Sequence, residues 1–198
     1  MLDLPPKYLP PVSNKITIQS HDSESLKKAL ILKRLMKTGL SRDLCEKAIA
    51  TSKDEISAFT FLTQHAYIGI TDKQPFIECS QMDIEEEITT EKEALEMIYP
   101  DAIKHMVSEA GHMISIMLPW NGETIIHFYL SKDSKYPYEI PGLSLENECL
   151  PAYIKLALYK ELIKEFTNAL GLPMMFSLAS WNLKMDLRLL QTSPVSLH

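Results

Sequence analysis

Cysteine, glycine and long apolar runs are all scarce in this chain. The 198 residues hold three cysteines, Cys45, Cys79 and Cys149, far apart and without a Cys-x-x-Cys pair. Neither a disulfide framework nor a thiolate zinc site is expected from them. The six glycines are scattered, and no Gly-x-x-x-x-Gly-Lys-Ser/Thr segment occurs, which removes the phosphate cradle that an ATP-hydrolysing site needs. A Gly-x-Ser-x-Gly elbow is absent too, leaving a hydrolase unsupported. No apolar stretch approaches the roughly 20 residues that span a bilayer. The N-terminus, with Asp3 and a proline cluster, lacks the basic and apolar regions of a secretory signal. No Asn-x-Ser/Thr acceptor is found. The expectation is a cytoplasmic protein with free thiols and no membrane partner. An excess of positive charge is also missing: the formal net charge is −6, and phosphate contacts require a concentrated positive surface. Direct nucleic-acid binding should be minor at most, with Lys27, Lys28, Lys33, Arg34 and Lys37 as the best local basic patch.

What is present divides along the chain. Residues 1–25, with Pro5, Pro6, Pro10 and Pro11, suit an extended lead-in. Residues 26–66 turn to helical periodicity: Leu26, Ala29, Leu30 and Leu35, then Leu44, Ala48 and Ile49, then Ile56, Phe59 and Leu62. Three short helices follow from this, with Gly39 separating the first two, Ser41 capping the second, and Ser52 with Glu55 boxing the third. Residues 67–83 read as a linker, and two separable hydrophobic cores are expected on either side of it.

From residue 84 to 191 the pattern is mixed. An acidic helix begins near Glu85, Glu86 and Glu87 or at a capping box of Thr90 and Glu93, and ends at Tyr99-Pro100. His112 to Leu118 and Thr124 to Leu130 alternate as strands around Asn121-Gly122, a hairpin signal. Ile126, Phe128 and Leu130 are expected to face the core. Pro151 opens a helix running to Leu170, with Gly171 as its cap. Leu178, Trp181, Met185 and Leu189 line a last helix before a tail of residues 192–198.

Several motifs agree in order. Tyr136-Pro137-Tyr138-Glu139-Ile140-Pro141 is a YPxxxP turn stiffened at two points. Ile98-Tyr99-Pro100 stands before it and Gly171-Leu172-Pro173-Met174-Met175-Phe176 after it. This succession resembles the RWD domain. Tyr136, Pro137 and Pro141 are accordingly read as structural. In the first unit, Leu35-Met36-Lys37-Thr38-Gly39-Leu40, Ala48-Ile49-Ala50 and Phe59-Thr60-Phe61-Leu62 resemble a ubiquitin-associated (UBA) domain, with Leu40 where that family commonly has an aromatic residue. The resemblance implies a partner-binding surface at Met36, Gly39, Leu40, Phe61 and Leu62. Ubiquitin recognition and a bundle docked on the RWD-like part both remain open.

The fold class implied is α+β: a three-helix UBA-like bundle followed by an RWD domain, an antiparallel sheet with flanking helices similar to the ubiquitin-conjugating enzymes. Those enzymes carry a His-Pro-Asn segment before their cysteine. Here Glu146-Asn147-Glu148 precedes Cys149, and adjacent carboxylates oppose thiolate formation. No catalytic residue, cofactor or metal is expected. His105, His112 and His127 lack ligand spacing and read as sheet or surface residues. UBA-like followed by RWD-like is the order found in the N-terminal region of a subgroup of DEAH-box RNA helicases. That resemblance implies a non-catalytic recruitment region whose partner is a protein or the ribosome. A free-standing RWD adaptor in ubiquitin or translation control is the alternative.

Overall fold

The computed structural model describes residues 20–66, 81–118 and 124–178. The lead-in up to residue 19, residues 67–80 of the expected linker, the Trp120-Asn121-Gly122 turn, the last helix past residue 178 and the tail lie outside the described residues.

Helical periodicity before residue 67 yields α1 (Ser20–Met36), α2 (Arg42–Thr51) and α3 (Glu55–Ala66). Gly39, at φ +84°, takes the left-handed turn that ends α1. The Ser41 side chain then accepts the Leu44 N–H at the start of α2. At α3 the cap differs from the expected Ser52. Asp54, not Ser52, accepts the Ser57 N–H at 2.8 Å, because the aspartate stands one residue before the first helical position and its carboxylate suits the positive end of the helix. The stripe expected on α1 also divides. Leu35 is buried, whereas Leu26 and Leu30 are 64% and 56% exposed. The α1 residues that join the core shared with α2 and α3 are Ile31, Leu32 and Leu35.

The acidic helix α4 (Gln81–Ile98) starts earlier than either expected cap and runs straight through Thr90. Its apolar stripe of Ile84, Ile88 and Leu95 keeps helical spacing with Glu91 in line. Beyond Tyr99-Pro100, β1 (Ile103–Ser108), β2 (Gly111–Leu118), β3 (Thr124–Ser131) and β4 (Gly142–Glu146) form an antiparallel sheet in the order β1-β2-β3-β4. The alternation set by the pleat puts Ile114, Ile116 and Leu118 of β2 and Ile126, Phe128 and Leu130 of β3 on one face, all with 0% exposure. The core expectation for β3 is met. α5 (Ala152–Asn168) follows Pro151 and ends two residues sooner than expected, at Asn168; Ala169 in place of Gly171 caps it, its N–H returning to the Glu165 and Phe166 carbonyls. Leu158, Leu162, Ile163 and Phe166 complete the core with α4 and the sheet.

The opposite face of the sheet is where the helical unit sits. α3 lies over Tyr129 and along β4. Phe59 stacks on Tyr129 with ring centroids 4.2 Å apart and planes 6° apart. Tyr129 therefore belongs to the hydrophobic cluster of the three helices although β3 supplies it. Gly142 is needed at this crossing. A Cβ there would meet the Thr60 backbone nitrogen at 2.6 Å and the Phe59 carbonyl carbon at 2.9 Å. The expected α3 stripe of Ile56, Phe59 and Leu62 is buried in one cluster with Tyr129, which makes this packing intelligible, since three short helices alone leave part of it in water.

Candidate functional site

Among the described residues, polar chemistry gathers at the YPxxxP turn and at the seam between the helical unit and the sheet. In the turn, Tyr136 is fully buried. Its hydroxyl donates to Glu91 Oε2 and accepts the N–H groups of Met174 and Met175 at 3.1 and 3.2 Å. Glu91 Oε1 accepts the Phe176 N–H at 2.6 Å. These three amides open the helical segment at 174–178, so Tyr136 and Glu91 satisfy donors that a helix start leaves without internal partners. The remaining turn residues reach other elements. The Pro137 carbonyl accepts the Gly171 N–H at 3.0 Å, and the Tyr138 ring lies against Gly171. Glu139 accepts from Gln64 of α3 and from the Lys135 N–H. The Tyr136–Pro137 peptide bond is cis. One six-residue turn thus ties together α3, α4, the end of α5 and the segment after it.

Glu91 was not singled out by the sequence reading. Its signal was a lone carboxylate on the apolar stripe of an amphipathic helix, a position where charge needs a partner. Burial pushes its carboxyl up to about 7, against the pull of the Tyr136 hydroxyl and the Phe176 amide. The sign of the linkage follows. A carboxyl whose folded pKa lies above the ordinary value of 4.5 favours folding when protonated, and that contribution is lost as pH rises from about 4.5 through about 7. Unfolding free energy should fall across this window by roughly 2–3 kcal/mol in the wild type relative to Glu91→Gln. Urea denaturation at several pH values checks this; parallel curves for the two proteins would refute it.

The seam carries its own hydrogen bonds. Thr63 Oγ1, itself buried, accepts the Leu143 N–H at 2.9 Å, and the Tyr159 hydroxyl donates to the Leu143 carbonyl. The Tyr129 and Ser144 hydroxyls lie 3.2 Å apart. Lys37 reaches Glu146 at 3.8 Å. Nearby, Ser115 Oγ is 2.8 Å from His127 Nδ1, and His127 Nε2 is 3.8 Å from Glu146 Oε2. This Ser-His-Glu line is not arranged as a hydrolytic site: Ser115 is 6% exposed within the sheet. Burial lowers the His127 pKa, against the pull of Glu146.

The expected partner surface is only partly assembled. Met36 is 40% exposed, while Leu40 and Phe61 are half-buried and Phe61 stacks on His65. Leu62 is 1% exposed and belongs to the core. Gly39 faces Ala152 at the start of α5, where an added Cβ would come within 3.3 Å. The loop that resembles a ubiquitin-contacting loop is therefore seated against the second unit.

Cys149 is exposed beside a cleft lined by Ile125, Glu146, Asn147 and Glu148. Asn147 spends its carbonyl on the Cys149 and Leu150 N–H groups at 2.8 and 2.9 Å and its amide on Thr124. It builds the turn and is not free to assist the thiol. His105 and His112 are hydrogen-bonded to each other at 3.0 Å, and His112 to Glu85 at 2.9 Å. No group of three or more metal-ligating side chains occurs among the described residues. No helix of the described residues is long and apolar enough to cross a membrane. Three of the five residues of the basic patch pair with acids: Arg34 with Glu55 at 2.7 Å, Lys28 with Glu24 at 3.1 Å and Lys37 with Glu146 at 3.8 Å.

Over 166 residues the chain is 28% identical to a protein of Schizosaccharomyces pombe described as "Putative ATP-dependent RNA helicase ucp12". The match covers 81% of this chain and 12% of that relative, so the chain spans a small part of its length. No solved structure matches. The RWD domain family model matches residues 86–183, the stretch that holds most of α4, the sheet, the YPxxxP turn and α5. Together with the α+β architecture, this makes residues 86–183 an RWD domain.

Proposed function

We propose that this chain is a non-catalytic protein-interaction platform, the N-terminal part of an ATP-dependent DEAH-box RNA helicase that it recruits to a cytoplasmic protein partner or to the ribosome. The observation that carries the reading is the docking of α3 on the RWD sheet, because it joins the two interaction modules into one surface. The similarity to a described RNA helicase supports the assignment of the parent. These 198 residues contain no phosphate loop, so ATP hydrolysis would belong to the rest of such a parent. Arg34 and Lys28 are engaged with carboxylates, which favours a protein over RNA as the contact.

Ubiquitin binding is the reading this platform displaces. Gly39 abuts Ala152 and Leu62 is buried, so the UBA-like surface has little to offer without undocking. Titration of labelled ubiquitin, followed by backbone NMR, is expected to give no saturable shifts. Co-sedimentation of the chain with ribosomal subunits is expected to survive Lys33→Glu. Saturable ubiquitin shifts abolished by Leu40→Asp would overturn the platform reading in favour of a ubiquitin-linked adaptor. An open reading frame continuing past His198 into a Gly-Lys-Thr loop and an Asp-Glu-Ala-His sequence would support the helicase parent, and a stop codon there would favour an RWD adaptor.

A further inference from the structure

Among the described residues the two edges of the sheet are treated differently. In an antiparallel ladder, alternate residues turn their N–H and C=O toward the neighbouring strand, and the others turn outward. On β4 the outward residue Leu143 is satisfied from outside the sheet, its N–H by Thr63 and its C=O by Tyr159. That edge is closed by α3 and α5.

The phase on β1 is fixed by the Met117 N–H, which donates to the Ala102 carbonyl directly opposite at 2.9 Å. In the same register Lys104 pairs with Ser115, Met106 with Met113 and Ser108 with Gly111, so these residues bond inward. Ile103, His105 and Val107 turn their backbone groups away from β2, toward the outer edge of the sheet. None of the three has a backbone partner there among the described residues. Native edges of this kind are blunted by proline, bulges or charge, which keep other strands away. β1 carries Lys104 alone, followed by Met106 and Val107 at 61% and 68% exposure.

We infer that β1 is a strand-addition site, which binds an extended peptide segment of a partner through the outward backbone groups of Ile103, His105 and Val107. The chemistry of the occupant follows from the strand. Only an extended backbone matches donors and acceptors at this spacing. Lys104 and Met106 lie on the same face, and Lys104 has no ion-pair partner among the described residues. An added strand would therefore place an acidic residue beside Lys104 and, two residues along, an apolar one beside Met106. The inference rests on the interaction-platform reading and gives it a mode of contact.

Two measurements test it. In the full chain, amide hydrogen exchange should be fast at Ile103, His105 and Val107 and slow at Lys104 and Met106; protection at all five would mean that the edge is already covered and would overturn the proposal. Selection of a displayed random-peptide library on the full chain should then yield alternating sequences with an acidic and an apolar residue two positions apart. Val107→Pro removes an outward N–H and no ladder bond, so it should leave the melting temperature unchanged and weaken the selected peptides about tenfold or more. Peptides that bind Val107→Pro as well as the wild type, or a selection that yields none, would sink the strand-addition site. Ribosome co-sedimentation unchanged in Val107→Pro would then show that the platform works through another surface.

Discussion

Tyr136→Phe is expected to destabilise the protein by roughly 3 kcal/mol, although it deletes one oxygen atom. The hydroxyl makes one donated and two accepted hydrogen bonds in a fully buried site. Its loss leaves the Met174 and Met175 amides and one Glu91 oxygen short of a partner, and each orphaned buried group costs about 1–3 kcal/mol before relaxation. The start of the segment after α5 should loosen with it. Urea denaturation at pH 6 gives the size of the effect; a loss below 1 kcal/mol would mean that water or neighbouring groups replace the hydroxyl. Partner binding should decline only in proportion to unfolding, because Tyr136 has no exposed surface.

The second large effect is expected at a residue without a side chain. Gly142→Ala places a methyl group 2.6 Å from the Thr60 nitrogen and 2.9 Å from the Phe59 carbonyl carbon. Both obstacles are backbone, so no rotamer change relieves the contact, and α3 must move away from β4. That movement strains the Thr63 to Leu143 hydrogen bond and the Phe59 to Tyr129 stack together. The expected cost is about 3 kcal/mol or more, at or above the upper end for overpacking in a core. Thermal unfolding should show the helical signal and the sheet signal destabilised together. A near-neutral Gly142→Ala would mean that α3 is held loosely.

Much of the architecture was legible because it rests on local rules. The alternation of Ile126, Phe128 and Leu130, the Gly39 turn and the Tyr99-Pro100 stop all follow from short-range sterics and the pleat. The spaced YPxxxP and GxPMMF motifs carry the resemblance to the RWD domain, and the turn they frame is where four elements meet. What escaped depends on tertiary packing. Glu91 lies 45 residues before Tyr136, and nothing in its neighbourhood reveals that a helix start far along the chain requires its carboxylate. Likewise, Tyr129 reads as an ordinary outward position on β3, and only the arrival of α3 makes it core. Leu62 stands both on the apolar stripe of α3 and in the partner surface that the UBA resemblance implies, and the core shared by the three helices and Tyr129 takes it.

The central claim is that the three helices and the RWD sheet act as one platform. Native-state hydrogen exchange on the full chain tests it most directly, by comparing amides of α3 from Phe59 to Thr63 with amides of β3 from Ile126 to Leu130. The account predicts that both sets open with the same free energy and that Phe59→Ala lowers both alike, by about 3 kcal/mol or more for the loss of a buried aromatic ring. Exchange in α3 at a much lower free energy than in β3, with β3 untouched by Phe59→Ala, would show two independent modules and contradict it.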